Sequence, residues 1–266
     1  MTGDFLRPGD PPPVEVLNAG ATSGIVICCD HAGRALPTEL RSSGLSQTDL
    51  ARHIAWDIGA RDIAGQLALR LNAVAVCGTY SRLVVDLNRY PWETAAMPEV
   101  SDGTRIPFNQ ALDNAQRHIR IEAIHRPYHA VIEKEIARGK NLGCAPALIS
   151  VHTMTDQLNG GALRSESYAV LWSDRDAELS LAMLKWLRAQ GGDVVGDNTP
   201  YSLEEGIDFS VPEHAFRHGI PSFMFELRQD LVASLQAARK RADVIAEGLL
   251  TCLPAVMSSG RPGPNA

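Results

Sequence analysis

The sequence predicts a single-domain α/β fold with a mainly parallel central sheet and helices on both faces. Short apolar runs rich in Val and Ile alternate with stretches of helical periodicity, the pattern of a parallel sheet covered on both sides. The 266 residues suffice for one large core. No internal repeat or linker divides the chain. We therefore expect one catalytic-size domain over 15–256, between flexible tails at 1–14 and 257–266, both rich in Pro, Gly or Ser.

The elements follow in order. Gly24 to Asp30 (GIVICCD) reads as a buried strand. Ile54, Ile58, Ile63, Leu67 and Leu71 recur every four or five residues, which predicts a helix over Leu50 to Leu71. Short strands are expected at Ala73 to Cys77 and at Arg82 to Leu87. A Pro-, Asp-, Gly- and Asn-rich connection runs from Arg89 to about Asn109. A helix from Ala111 to Arg138, kinked or broken near Pro127, leads to a strand at Ala147 to Val151. The second half offers a strand at Tyr168 to Trp172, a helix from Ala177 to Gln190 and the polar loop GDNTPYSLEEGIDFS. A strand at Pro221 to Phe225 and a helix from Asp230 to Leu250 follow.

Composition excludes several classes. Hydrophobic content of 45% and charged content of 21% are those of a globular protein, and no run reaches the ~18 apolar residues of a membrane span. The start, MTGDFLRPGDPPPVEV, lacks the basic and apolar regions of an export signal, so a cytoplasmic location is expected. Five cysteines without a CxxC pair suggest reduced, mostly buried thiols rather than disulfides or a cysteine zinc site. A formal charge of −6 without a Lys/Arg block argues against a nucleic-acid surface. The sequence has no GxSxG elbow and no phosphate loop, which speaks against a serine hydrolase and against nucleotide use.

Ligands of such sheets bind beyond the carboxyl ends of the strands. There, GIVICCD is followed by His31, RLVVDLN by Arg89, ALISV by His152 and PSFMF by Glu226. A lone histidine or arginine at a strand end is usually structural. Four together point to a site. Two histidines and a carboxylate form a set that holds catalytic zinc while leaving a position for water. Glu226 can take the water's proton. Arg82 and Arg89 can hold a substrate carboxylate through paired hydrogen bonds.

The segments DHAGRALP, WDIGA, YSRLVVDLNR, RPYH, ISVHTMT, VPEH and FELRQDL, in that order over Ile25 to Leu231, resemble the N-formylglutamate amidohydrolases. That family resembles the zinc carboxypeptidases and aspartoacylases, whose phosphorylase/hydrolase-like fold is therefore expected. The resemblance implies Zn2+ held by His31 and His152. The related HxxE pattern has Arg34 where its glutamate would stand, so the third ligand is assigned to Asp57, with Glu39 as the alternative. It further implies Glu226 as general base and Arg82 at the scissile carbonyl, with Asn88 and Arg89 gripping a carboxylate. His214 and Arg228 are candidate substrate contacts, Arg228 being also a possible structural partner of Glu226. Asp86 reads as a residue that orients an arginine or histidine from behind the metal. His129 shares a helix face with Ile132 and Ile136 and reads as structural, while His53, His118 and His125 show no partner pattern. Gly160 and Gly161 suit a turn or a loop approaching the site.

The expected function is hydrolysis of N-formyl-L-glutamate to formate and glutamate. The alternatives are a deacylase or carboxypeptidase acting on another N-acyl amino acid or short peptide, and a non-catalytic anion-binding protein. The expected partner is a small N-acyl amino acid, without nucleic acid or membrane, for a monomer or small homo-oligomer. Manganese, cobalt or iron would also suit the ligand set, and histidine breakdown is one pathway among those left open.

Overall fold

Why the apolar runs are extended is clear from their burial. In the computed structural model, which describes residues 5–258, Ile25–Cys29 (β2) is buried along its whole length. It follows an edge strand, Val14–Leu17 (β1). The chain then forms a short helix, Gln47–Leu50 (α1), a longer one, Ala60–Arg70 (α2), and the buried strand Val74–Gly78 (β3). A two-stranded ribbon, Val100–Ser101 (β4) with Thr104–Arg105 (β5), interrupts the long connection after Arg89.

Helix Asn114–Arg120 (α3), capped by Asp113 and Gln116, runs through a π-helical turn at Ile121–His125 into Arg126–Asn141 (α4). The widened turn immediately precedes Pro127, which has no N–H to donate. Strand Ala147–Met154 (β6), strand Tyr168–Leu171 (β7), helix Glu178–Gln190 (α5), strand Val195–Asp197 (β8), strand Ser222–Arg228 (β9) and helix Leu235–Ser258 (α6) complete the fold.

Seven strands form one sheet in the order β1-β3-β2-β6-β9-β7-β8. The centre, β3-β2-β6-β9, is parallel. β1 is antiparallel to β3, and β7 is antiparallel to β9 while pairing parallel with β8. One face, with Ile27, Ile149, Val151, Phe223 and Phe225, packs under α2, α5 and α6. The other, with Val26, Cys28, Leu148 and Met224, packs under α4 and the buried segment 80–87. The expected fold class is therefore present.

Several expected elements are different. Arg82 to Leu87 is not a strand but a buried sequence of turns, whose N–H groups reach Ala55 O, Ser81 O and Ala96 O instead of a ladder. The expected helix over Leu50 to Leu71 is helical only from Ala60: α1 ends at Leu50, 51–59 are turns, and Gly59 takes φ +85° at the start of α2. A Cβ there would stand 2.7 Å from Val232 O, so only glycine fits. Strands β6 and β9 run on past Val151 and Phe225, which places His152 and Glu226 inside them rather than after their ends.

Part of the expected N-terminal tail packs on the domain. Tyr80 donates to Pro11 O at 2.6 Å, and Asp10 accepts from Thr38 and Arg41. At the other end Met257 and Ser258 belong to α6, and the rest of the expected tail lies outside the described residues. No helix among the described residues is long and apolar enough to cross a membrane.

Candidate metal centre and active site

Strand pairing brings the first two groups together. In the parallel ladder His152 of β6 is the partner of Glu226 of β9. Side chains alternate between faces, so Ser150 and His152 share the α4 side of the sheet with Met224 and Glu226. On the other flank of β9 the partner of Glu226 is Ala169, which adds no bulk beside the carboxylate. Asp30 and His31 follow directly on β2, next to β6. Asp57 enters from the turn before Gly59, where its N–H donates to His31 O at 2.9 Å.

His31, Asp57 and His152 are all buried, and one donor atom from each lies within 4.8 Å of the others. Asp57 Oδ2 is 3.0 Å from His152 Nδ1 and 3.5 Å from His31 Nδ1. Each ring is held from behind. His31 Nε2 pairs with Asp86 Oδ1 at 2.7 Å, and His152 Nε2 lies 3.1 Å from Ser150 Oγ and 3.3 Å from Asp30 Oδ2. Holding the far nitrogen of each imidazole fixes its tautomer and aims the near nitrogen at Asp57.

The donor set fits a divalent cation. Buried His31 Nδ1 has no hydrogen-bond partner, a costly state for a ring nitrogen facing protein alone. Burial opposes a charged His152, yet Asp30 and Asp57 push it up to about 10. Burial likewise opposes charge on Asp57, yet the two histidines hold its carboxyl well below the ordinary range. His152 thus carries a proton beside an ionised Asp57, and a metal ion would replace that proton. Glu39, the alternative ligand, pairs with Arg7 at the surface, and Arg34 lies over the Trp56 ring at 5.0 Å.

Asp86 joins the His31–Asp57–His152 cluster to Arg82. Its Oδ2 accepts from Arg82 at 2.7 and 3.1 Å, and its Oδ1 also accepts from Asn88 N at 2.9 Å. Arg82 NH1 lies 3.5 Å from Asp57 Oδ1. Burial pushes the Glu226 carboxyl above its usual value, with Asp57 adding to the shift and His152 and Arg82 opposing it. A cavity of about 480 Å³ opens over these groups and is also lined by Arg89, Arg164, Tyr201 and Asp208.

The remaining candidates are placed less simply. Asn88 is buried, and its carboxamide pins the 208–210 loop by donating to Asp208 and accepting from Phe209 N and Ser210 N. Arg89 reaches the cavity but is paired with Asp208 at 2.8 Å. His214 does not line the cavity. It is buried between His129 Nδ1 and Glu133 Oε1, each at 2.8 Å. Arg228 does not line the cavity; it pairs with Asp230 and donates to Arg164 O at 2.8 Å. Sequence reading passed over Asp30, Arg164 and Tyr201, and it left His53, which lines the cavity, without a role. For Asp30 the available signal was an acid ending the same run that delivers His31; nothing local marks the other three.

The family model of N-formylglutamate amidohydrolase matches residues 23–233. The chain belongs to the N-formylglutamate amidohydrolase family. Within that family's fold, its structure is similar to the gene product Atu2144 from Agrobacterium tumefaciens, with a TM-score of 0.90 and 31% identity over 96% of this chain and 100% of that one. It is also similar in fold to N-formylglutamate amidohydrolase from Ralstonia eutropha JMP134, with a TM-score of 0.63 and 17% identity over 92% of this chain and 100% of that one. No curated protein matches the sequence.

Proposed function

We propose that this protein is a zinc-dependent amidohydrolase that converts N-formyl-L-glutamate and water to formate and L-glutamate. The observation that carries the reading is the convergence of His31, Asp57 and His152 beside a half-buried Glu226, set by one register of the sheet. Family membership supports the same chemistry. Zn2+ held by these three residues would polarise the formyl carbonyl and lower the pKa of water.

The chain's own groups do the rest. Glu226 takes a proton as the water oxygen bonds to the formyl carbon, and the raised pKa of its carboxyl suits it to hold that proton. Arg82 stabilises the negative charge that develops on the carbonyl oxygen, while Asp86 keeps its guanidinium in place. Glu226 then delivers the proton to the amide nitrogen, the C–N bond breaks, and formate and glutamate leave. Guanidinium groups lining the cavity supply positive charge for the substrate's carboxylates.

A second reading, removal of a larger acyl group or cleavage of a short peptide, is favoured by one observation. The hollow continues past Arg82, His53 and Leu158 toward Asp102, more room than a formyl group needs. Formate release from N-formyl-L-glutamate by zinc-loaded protein, beside acetate release from N-acetyl-L-glutamate, separates the two. Glu226→Gln should lower turnover by about 10²- to 10⁴-fold with zinc still bound. The acid limb of the wild-type kcat/KM profile should lie above 4.5, the ordinary value for glutamate. Zinc-loaded protein that releases no formate would sink the named substrate, and an undiminished Glu226→Gln variant would remove Glu226 as the base.

A further inference from the structure

Three guanidinium groups line the cavity, and among the described residues only two are ion-paired with a protein carboxylate. Arg82 is paired with Asp86 at 2.7 Å, and Arg89 with Asp208 at 2.8 Å. Arg164 has no carboxylate within ion-pair distance among the described residues. Its contacts are neutral: NH1 donates to Thr155 O at 2.9 Å, NH2 donates to Tyr201 Oη, and the group lies 4.9 Å from the centre of the Tyr201 ring. The nearby rim carboxylate of Glu204 accepts instead from Ser202 Oγ at 3.0 Å. Arg164 is therefore a planar cation held by a carbonyl and an aromatic ring, with N–H groups left over for a planar anion.

Its position matches a particular anion. Thr155 lies three residues beyond His152, one place past the end of β6, and both line the cavity. At ~3.3 Å per strand residue that is roughly 10 Å along the sheet. In an extended N-acyl glutamate the scissile carbon and the side-chain carboxylate carbon are about 6 Å apart, from ordinary bond lengths. A hydrogen-bonded guanidinium adds roughly 3 Å more. A substrate with its acyl carbon beside His152 and Glu226 therefore presents its far carboxylate where Thr155 and Tyr201 hold Arg164.

We infer that Arg164, braced by Thr155 and Tyr201, is the specificity residue for the substrate's side-chain carboxylate, so that the site selects N-acylated acidic amino acids over their amides. The assignment rests on the amidohydrolase reading above. It differs from the sequence-based expectation, which gave the carboxylate grip to Asn88 and Arg89. Asn88 is fully engaged with the 208–210 loop, and Arg89 already has Asp208.

The test compares zinc-loaded wild type, Arg164→Gln and Arg164→Lys on N-formyl-L-glutamate and N-formyl-L-glutamine. Wild type should prefer the acid. In Arg164→Gln the acid-over-amide ratio of kcat/KM should fall by about 10- to 100-fold, chiefly through KM, as expected for a lost paired hydrogen bond between charges. Arg164→Lys should restore part of the ratio. A residue that merely braces the 198–207 loop would lower both substrates alike, so an unchanged ratio overturns the inference, as does a wild type with no preference.

The binding of glutarate and of its monoamide to the same proteins, measured by calorimetry, separates this inference from the proposed reaction. If wild type hydrolyses neither substrate, the reaction fails. Arg164 then stands if the variant loses a wild-type preference for glutarate, and falls if that preference is absent or is kept.

Discussion

Asp86→Asn tests how the metal centre is oriented. The carboxylate accepts four hydrogen bonds: from His31 Nε2 and Asn88 N on one oxygen, and from Arg82 Nε and NH2 on the other. Burial opposes its charge, but Arg82 and His31 hold the carboxyl well below the ordinary range. Asparagine keeps the shape but turns one oxygen into a donor. Whichever way the amide lies, its NH2 faces two donors and two of the four bonds are lost. At ~1.5–3 kcal/mol for a bond to a charged group, the loss is about 3–6 kcal/mol before relaxation. Arg82 is 28% exposed, so water recovers part of it and a net of about 2–4 kcal/mol remains. For a chain of this length that lowers Tm by about 5–15 °C.

With the carboxylate charge gone, whichever way the amide lies, His31 is held less firmly with its Nδ1 towards Asp57, and zinc affinity should fall by about 10- to 100-fold. Competition against a chromophoric chelator, at a temperature where circular dichroism shows the variant folded, measures it. An Asp86→Asn protein that binds zinc as tightly as wild type would refute the orienting role.

Two further outcomes follow from the same geometry. In metal-free protein His152 is pushed up to about 10, so it stays protonated at neutral pH and zinc must displace that proton. Zinc affinity should therefore rise with pH up to that value, and calorimetry in buffers of different ionisation enthalpy should show proton release; binding without it would contradict the pairing. The sign for stability is opposite. The raised pKa stabilises the metal-free fold fully below 6.5, the ordinary histidine value, and that contribution is lost as pH rises towards 10. Gly59→Ala would force a Cβ to within 2.7 Å of Val232 O at φ +85°, two residues from Asp57. We expect about 1–3 kcal/mol of destabilisation and weaker zinc binding, and an unchanged melt together with unchanged zinc affinity would disprove the constraint.

The central strands were legible because they are buried on both faces, which makes Ile25–Cys29 and Ala147–Met154 continuous apolar runs. The same signal misleads at Arg82 to Leu87. An apolar run reports burial, and Leu83 to Leu87 are all buried, but their backbone groups bond to neighbouring loops and not to a strand. Helical spacing misleads over Leu50 to Leu71 for a related reason: Ile54 and Ile63 both reach the interior, yet Gly59 turns the chain between them. Strand direction is set by long-range pairing, so the reversal of β7 against β9 has no local mark.

At the site, residue type was legible and partnership was not. His31, His152 and Glu226 stand out because such residues rarely end apolar runs. What each can do depends on neighbours far away in sequence: Asp86 is 55 residues from His31, and Asp208 is 119 from Arg89. Those distant carboxylates change the reading of the arginines. Arg82 is already matched by Asp86, and Arg89 by Asp208. Arg164, in a loop with no distinguishing pattern, is the cavity guanidinium without a protein carboxylate among the described residues. A substrate anion gains most from a cation whose charge no protein group has yet balanced, because no existing ion pair must be broken to bind it. On that ground the recognition of a second carboxylate belongs to Arg164, which only the folded chain distinguishes from its two neighbours.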